Sequence, residues 1–195
     1  MFTPPQLAFI GRALEDAVTA EGSVLEVGCS VGHTTTYLNR WLDAIDANPP
    51  YYAIDTFTGF TDADITVETQ RGNDSIEVLR KIFRSGTKDS FDHRMKANRI
   101  TRVRGVVADA ASVDYSQYAP IVFALIDVDL YRPVKAALEG IYPGLVPGGR
   151  IVVDDCVPTG AFSGAYHAYV EFCDANGIEP RIEKVKLGVL EKAPV

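Results

Sequence analysis

Short apolar runs alternate with amphipathic stretches along the chain. Between the apolar runs, apolar side chains recur at helical spacing, and breakers such as Asn48-Pro49-Pro50 end the helices. The fourth apolar run, at 120–127, is almost wholly apolar, as expected of a strand buried on both faces of a sheet. The predicted strands are 23–28, 51–55, 102–108, 120–127 and 147–155. The predicted helices are Pro4 to about Gly22, 32–45, 74–84, 88–98, 132–142 and 161–175, with 56–71 as a loop.

This alternation of strands and helices predicts an α/β fold with a doubly wound, mostly parallel sheet. Two short alternating segments within 178–192 add a C-terminal antiparallel strand pair, which makes the sheet seven-stranded and Rossmann-like. We find no repeat, low-complexity tract or linker in the sequence, so we expect one domain over 1–195. The segment 56–100 is an insertion that we interpret as a cover over the substrate.

Composition is that of an ordinary globular chain, with 47% apolar residues and no apolar run near the roughly 20 residues that span a bilayer. The N-terminus does not resemble a secretion signal. Three cysteines without metal-type spacing indicate a reducing compartment, and we therefore expect a cytoplasmic protein. The net charge of −7 argues against a nucleic-acid partner, and nothing in the sequence indicates a membrane partner.

The charge is unevenly distributed. Residues 71–104 hold ten Lys/Arg against four Asp/Glu, a net charge of +6, so the rest of the chain carries −13. Such a segment is most often a solvated helical face. The alternative is a basic wall that faces an anionic part of a substrate.

The stretch VLEVGCSVGHTT at 24–35 contains G-x-S-x-G and allows two interpretations. In a serine hydrolase this spacing is a nucleophile elbow, with Ser30 as the nucleophile, and the order Ser30, Asp154 or Asp155, His167 would match. An elbow, however, follows several strands and an oxyanion loop, whereas only 22 residues precede this strand. The second interpretation, a ligand-binding turn between the first strand and the first helix, fits the topology better.

Acidic residues stand at the ends of the first three predicted strands. Glu26 precedes the turn and would repel a pyrophosphate but suit a cationic ligand, Asp55 is placed to bind ribose hydroxyls, and Asp109 to accept a bond from an adenine amine. An acid-lined pocket sized for a nucleoside without phosphates describes S-adenosyl-L-methionine. The predicted cofactor-binding residues are Glu26, Gly28, Cys29, Ser30, Gly32, His33, Thr34, Asp55, Thr56, Asp109, Ala110 and Asp127.

Over nearly its whole length the chain resembles the class I S-adenosylmethionine-dependent methyltransferases. Three stretches carry the resemblance: VLEVGCSVGHTT at 24–35, YYAIDTFTGF at 51–60, and ALIDVDLYRPVKAALEGIYPGLVPGGRIVVDDC at 124–156. Within the last, IDVDLY and VVDDC are similar to the macrocin and mycinamicin sugar O-methyltransferases. That resemblance implies metal-dependent methylation of a sugar hydroxyl, with Asp127, Asp154 and Asp155 as ligands of Mg²⁺ or another divalent cation.

The resemblance also sets limits. Catechol and caffeoyl-coenzyme A O-methyltransferases have Asn at the place of Asp155 and a lysine at the place of Leu130, so a lysine base is not carried over. The sugar methyltransferases are longer at the N-terminus, where their extension helps to build the substrate pocket and the oligomer. The resemblance therefore leaves open whether this chain forms a homo-oligomer.

The mechanism expected from these residues is methyl transfer to a hydroxyl of a small molecule, a sugar or a glycosylated natural product. A divalent cation would lower the pKa of the hydroxyl, and Asp127, the predicted catalytic residue, or Asp129 would accept the proton. Three alternatives stay open: a metal-independent methyltransferase that relies on proximity, a hydrolase that uses Ser30, and a cofactor-binding protein without catalysis.

Overall fold

A single sheet of seven strands organises the chain in the computed structural model, which describes residues 1–72, 81 and 86–193. The strand order is β3-β2-β1-β4-β5-β7-β6. The first five strands are parallel, whereas β7 is antiparallel to both β5 and β6. This is the predicted doubly wound sheet with its C-terminal antiparallel pair. The strands are β1 Ser23–Val27, β2 Tyr51–Asp55, β3 Val103–Val107, β4 Ile121–Ile126, β5 Leu145–Val153, β6 Arg181–Glu183 and β7 Leu187–Glu191.

Helices cover both faces of the sheet. In the described residues they are α1 Pro4–Ala17, α2 His33–Ala44, α3 Asp62–Gln70, α4 Lys88–Ala97, α5 Tyr131–Ile141 and α6 Ser163–Ala175. Side chains of α1, α2 and α4 pack in the apolar core on one face, and those of α5 and α6 pack in the core on the other. No described helix is long and apolar enough to cross a membrane.

Burial of the central strands explains why the strand predictions succeed. Every residue of β1 and of β4 is buried, because parallel central strands are covered on both faces. Strand β4 is wholly apolar, whereas β1 also buries Ser23 and Glu26. The carboxyl ends of the five parallel strands meet at one edge of the sheet, and in such folds ligands bind outside this edge. The loops after these strands are therefore where a ligand site is expected.

The prediction of a loop at 56–71 is wrong, because α3 occupies 62–70. Its helical pattern is hidden because Ile65 is its only buried apolar residue, while the other two buried residues, Asp64 and Glu68, are acidic. Thr61 and Asp64 form a capping box that starts the helix. The helix therefore depends on polar contacts that a hydrophobic pattern does not reveal.

Two further predictions concern the basic segment 71–104, which the structure describes in part, and strand β5. The predicted helix 74–84 lies outside the described residues except for Lys81, and so does part of the basic segment 71–104. Within that segment α4 is present as predicted, and it buries Phe91 and Met95 against the sheet. Strand β5 begins earlier than predicted, with the expected turn at Gly148 inside it at φ +76°.

Candidate functional site

A cleft lies at the carboxyl edge of the parallel strands. Loops after β1, β2, β3, β4 and β5 all contribute to it, and Lys186 reaches it from the turn before β7. The apolar side chains of Met1, Phe60 and Phe162 line it together with several aspartates. Of the predicted site residues, the cleft is lined by Gly28, Ser30, Asp55, Thr56, Asp109, Ala110, Asp127, Asp154 and Asp155.

The turn after β1 requires glycine at two positions because of its backbone conformation and its close packing. Gly28 has φ +93°, and a Cβ built there would lie 1.8 Å from the backbone oxygen of Asp127. Gly32 has φ +81°, and its Cβ would lie 2.7 Å from Cε of Met95. Side chains rarely adopt this left-handed backbone, so both positions favour glycine. The turn is thus held close to the end of β4, which brings Asp127 beside it.

Asp55 ties the β1 turn to the loop after β2. Its Oδ2 accepts a hydrogen bond of 2.7 Å from the backbone N–H of Ser30, and its Oδ1 accepts one of 2.7 Å from that of Phe57. Thr56 donates its hydroxyl to the backbone oxygen of Gly59. The carboxylate is therefore fixed on the cleft wall by two main-chain donors and retains further lone pairs for a ligand.

Asp109 caps the short 3₁₀ turn after β3 and also belongs to an ion-pair group. Its Oδ1 accepts from Ala111 N at 2.9 Å, while Oδ2 accepts from the Arg132 guanidinium at 3.1 Å. Arg132 also pairs with Asp64 of α3 at 2.7 Å. Sequence reasoning missed Arg132 and Asp64, because they meet only through the packing of α3 against α5.

Five of the predicted cofactor residues do not line the cleft: Glu26, Cys29, Gly32, His33 and Thr34. Cys29 is buried, which raises the pKa of its thiol, and His33 is the exposed first residue of α2. The half-buried Thr34 follows it in α2. The role of these residues in cofactor binding stays a prediction.

Glu26 lies in the interior of the protein. It is 1% exposed, and its Oε2 accepts a 2.7 Å hydrogen bond from the Tyr51 hydroxyl. In the part of the chain that the structure describes, its Oε1 has no hydrogen-bond partner. Burial raises the pKa of Glu26 to about 7, and the hydrogen bond from Tyr51 only partly opposes this rise.

Four carboxylates gather where β4 and β5 end: Asp127, Asp129, Asp154 and Asp155. The pKa of Asp127 is raised well above its usual range, chiefly by burial and secondly by repulsion from the neighbouring carboxylates. The pKa values of Asp129 and Asp154 are raised for the same two reasons. Asp129 and Asp155 also have left-handed backbone, at φ 61° and 54°, which is uncommon outside glycine and frequent at functional sites.

Lys186 enters this carboxylate cluster and was not anticipated from the sequence. Its Nζ lies 2.8 Å from Asp154 Oδ2 and 2.8 Å from Asp155 Oδ1. The other oxygen of Asp154, Oδ1, is buried and has no hydrogen-bond partner among the described residues. No three His, Cys, Asp or Glu side chains of those residues are arranged as ligands of one metal ion.

Ser30 and His167 line different recesses. Ser30 faces the main cleft, whereas His167 lies on α6 beside a polar recess with Glu68 and Arg71. The structure therefore does not assemble the Ser, Asp and His arrangement that the hydrolase interpretation requires.

Comparison with known proteins gives a family and a fold. The model of the macrocin O-methyltransferase (TylF) family matches residues 7–190. The structure of the O-methyltransferase NovP is similar with a TM-score of 0.80 at 18% identity, covering 96% of this chain and 79% of NovP. No curated protein matches the chain by sequence.

Two further structures share the fold. CalS11, a calicheamicin methyltransferase, has a TM-score of 0.69 at 20% identity, over 96% of this chain and 78% of its own. Its apo structure is described as a TDP-rhamnose 3'-O-methyltransferase. The Streptococcus mutans protein SMU.1697c, solved in complex with SAH, has a TM-score of 0.62 at 12% identity, over 98% of this chain and 99% of its own.

Proposed function

Since this chain belongs to the macrocin O-methyltransferase family, we propose that its cleft binds S-adenosyl-L-methionine and transfers the methyl group to a hydroxyl of a sugar or a glycosylated natural product. One observation carries the proposal. The cleft joins Asp55 and Asp109, at the ends of β2 and β3, to a carboxylate cluster at the ends of β4 and β5.

Cofactor binding is proposed along the ends of β1, β2 and β3. Asp55 would accept hydrogen bonds from the ribose hydroxyls, since its two backbone donors hold it on the cleft wall and leave lone pairs free. Asp109 and Ala110 would lie beside the adenine. The turn from Gly28 to Ser30 would face the methionine part, which brings the sulfonium towards Asp127.

Proton removal is proposed for Asp127. In the transfer step the acceptor oxygen forms a bond to the methyl carbon, the carbon–sulfur bond breaks, and the hydroxyl proton leaves to a carboxylate. Asp127 lines the cleft beside the turn from Gly28 to Ser30, which places its carboxylate near the proposed position of the sulfonium. Asp129, two residues further along the same wall, is the alternative acceptor of the proton. Alignment of oxygen, carbon and sulfur by the cleft supplies the remaining rate enhancement.

A divalent cation is part of the proposal. The described side chains are not arranged as ligands of one ion, but the chemistry of the donor set suits a hard cation. Asp127, Asp154 and Asp155 offer hard oxygen atoms, which Mg²⁺ prefers, and one Asp154 oxygen is buried without a partner among the described residues. These three residues would hold the ion, which when bound lowers the pKa of a hydroxyl that it coordinates. Among the described residues the cluster has four carboxyl groups and one lysine, and a bound cation would relieve the repulsion between the carboxylates.

The metal-independent alternative keeps one observation in its favour. The Lys186 ammonium already neutralises part of the cluster at 2.8 Å from Asp154 and from Asp155. In that case proximity and a carboxylate base would carry the reaction without a metal.

The test is a methyl-transfer screen with labelled S-adenosyl-L-methionine against TDP-deoxysugars and macrolide glycosides. We expect a product heavier by one methyl group, formed with equimolar SAH, and a rate that falls in excess EDTA and returns with Mg²⁺. Full activity in EDTA would eliminate the metal and leave the proximity mechanism. Asp154→Ala should lose catalysis while keeping cofactor affinity, because the metal would contact the acceptor rather than the cofactor.

A further inference from the structure

We propose that the Lys186 ammonium is an internal cation that competes with a divalent metal ion for the carboxylates of Asp154 and Asp155. The inference rests on the proposed function in one respect, namely that these two residues are metal ligands. It concerns the lysine, for which the family resemblance and the matched motifs give no role.

The lysine occupies the position that a cation would need. Its Nζ lies 2.8 Å from an oxygen of each aspartate, which is the distance of a charge-assisted hydrogen bond. Side-chain exposure is 19% for Lys186, 5% for Asp154 and 19% for Asp155, so solvent screens these pairs poorly. A metal ion can use both oxygens only after the ammonium has left them.

Strand pairing fixes the lysine opposite the acids. Strand β7 is antiparallel to β5, with Val153 paired to Gly188. Extending this register by two residues sets Asp155 opposite Lys186, and the Cys156 N–H donates to the Lys186 backbone oxygen at 2.8 Å. The backbone of Lys186 is thus attached to the same loop that carries the two acids.

The turn that precedes Lys186 is strained. Lys184 and Val185 have φ values of 48° and 77°, and a β-branched residue such as Val is a clear outlier in this left-handed region. The Val185 side chain is 88% exposed, so its packing does not compensate for the strain. Gln6 of α1 holds the turn through a 3.1 Å bond to the Lys184 backbone oxygen. The surrounding structure therefore keeps the turn in a conformation that directs Lys186 into the cluster.

The N-terminal residues complete the lysine site. The Phe2 ring, itself 8% exposed, lies 5.4 Å from Lys186 Nζ, within the range of a cation–π contact. The ammonium is therefore held by two carboxylates and one aromatic ring. A metal ion that uses the two oxygens bound by Lys186 must displace the ammonium from this built site, so the affinity of the wild type for divalent ions is lowered by the cost of that displacement.

The experiment measures Mn²⁺ binding by electron paramagnetic resonance on the whole protein, independently of turnover. Lys186→Met removes the competing charge and should bind Mn²⁺ at least about tenfold more tightly than the wild type, equal to about 1.4 kcal/mol. Lys186→Arg keeps the charge and should bind no more tightly than the wild type. Lys184→Met, in the same turn but with an exposed side chain, is the matched control and should leave the affinity unchanged.

The other outcomes overturn the proposal. Equal or weaker Mn²⁺ binding by Lys186→Met would show that the lysine positions the aspartates rather than competes for them. If Lys186→Met does not fold, Lys186→Gln, which can still donate to a carboxylate, must show the tighter binding. Absence of Mn²⁺ binding in all variants would also overturn it, and methyl transfer in EDTA would then show separately whether the enzyme assignment stands.

Discussion

Replacing Glu26 by Gln should change how the stability of the protein depends on pH. Glu26 is 1% exposed in β1, with one oxygen bonded to Tyr51 and the other without a partner among the described residues. Burial raises its pKa from the ordinary value of 4.5 to about 7. The folded protein therefore favours the protonated form of this group.

The direction and size of the effect follow by linkage. Because the pKa is raised on folding, the stability that Glu26 contributes is complete below pH 4.5 and is lost as the pH rises through about 7. The interval between the two pKa values corresponds to about 3 kcal/mol, most of which falls between pH 5 and pH 8. Gln has no charge to desolvate, and its oxygen can still accept the bond from Tyr51.

The assay is urea unfolding of the wild type and Glu26→Gln at pH 5 and pH 8. Relative to the wild type, Glu26→Gln should gain about 2–3 kcal/mol of unfolding free energy at pH 8 over its value at pH 5. Glu21→Gln, an exposed position before β1, is the control for removal of a carboxylate. A wild-type to variant difference that is the same at both pH values would refute the reasoning about Glu26.

Two further predictions concern the cleft wall and the β1 turn. Asp55→Ala should weaken binding of S-adenosyl-L-methionine by about 1–3 kcal/mol, because ribose hydroxyls and the Ser30 N–H lose their acceptor; unchanged affinity by calorimetry would count against the assignment. Gly28→Ala should lower the free energy of unfolding by about 3 kcal/mol or more, since its Cβ would meet the Asp127 backbone oxygen at 1.8 Å. Gly177→Ala, at φ +64° with no atom within 4 Å of its Cβ, is the control and should cost about 1 kcal/mol; equal losses for the two variants would contradict this explanation.

The strands and the gathering of acids could be predicted from the sequence, and the reason is topological. Strand β2 was predicted with its observed bounds, 51–55, because an apolar run follows the helix-breaking Asn48-Pro49-Pro50. Once the sheet is parallel, acids that follow different strands must meet at one edge. Asp55, Asp109, Asp127 and Asp154 do line one cleft.

Residues brought in by tertiary packing could not be predicted in the same way. The position of Lys186 depends on the register between β5 and β7, which no local pattern around Lys186 reveals. The hydrophobic pattern does not predict helix α3, because two of its three buried residues are acidic. The ion pair between Asp64 and Arg132 forms only when the folded chain brings α3 and α5 together. The hydrogen bond from Tyr51 to the buried Glu26 is another contact that the sequence does not reveal, and the role of Glu26 in cofactor binding stays a prediction.

A crystal structure of the protein with SAH tests the central claim most directly. The account predicts one SAH in the cleft, with its ribose hydroxyls on Asp55, its adenine beside Asp109 and Ala110, and its sulfur directed towards the carboxylates of Asp127, Asp129, Asp154 and Asp155. SAH bound elsewhere, or in this cleft with the sulfur turned away from those carboxylates, would contradict it.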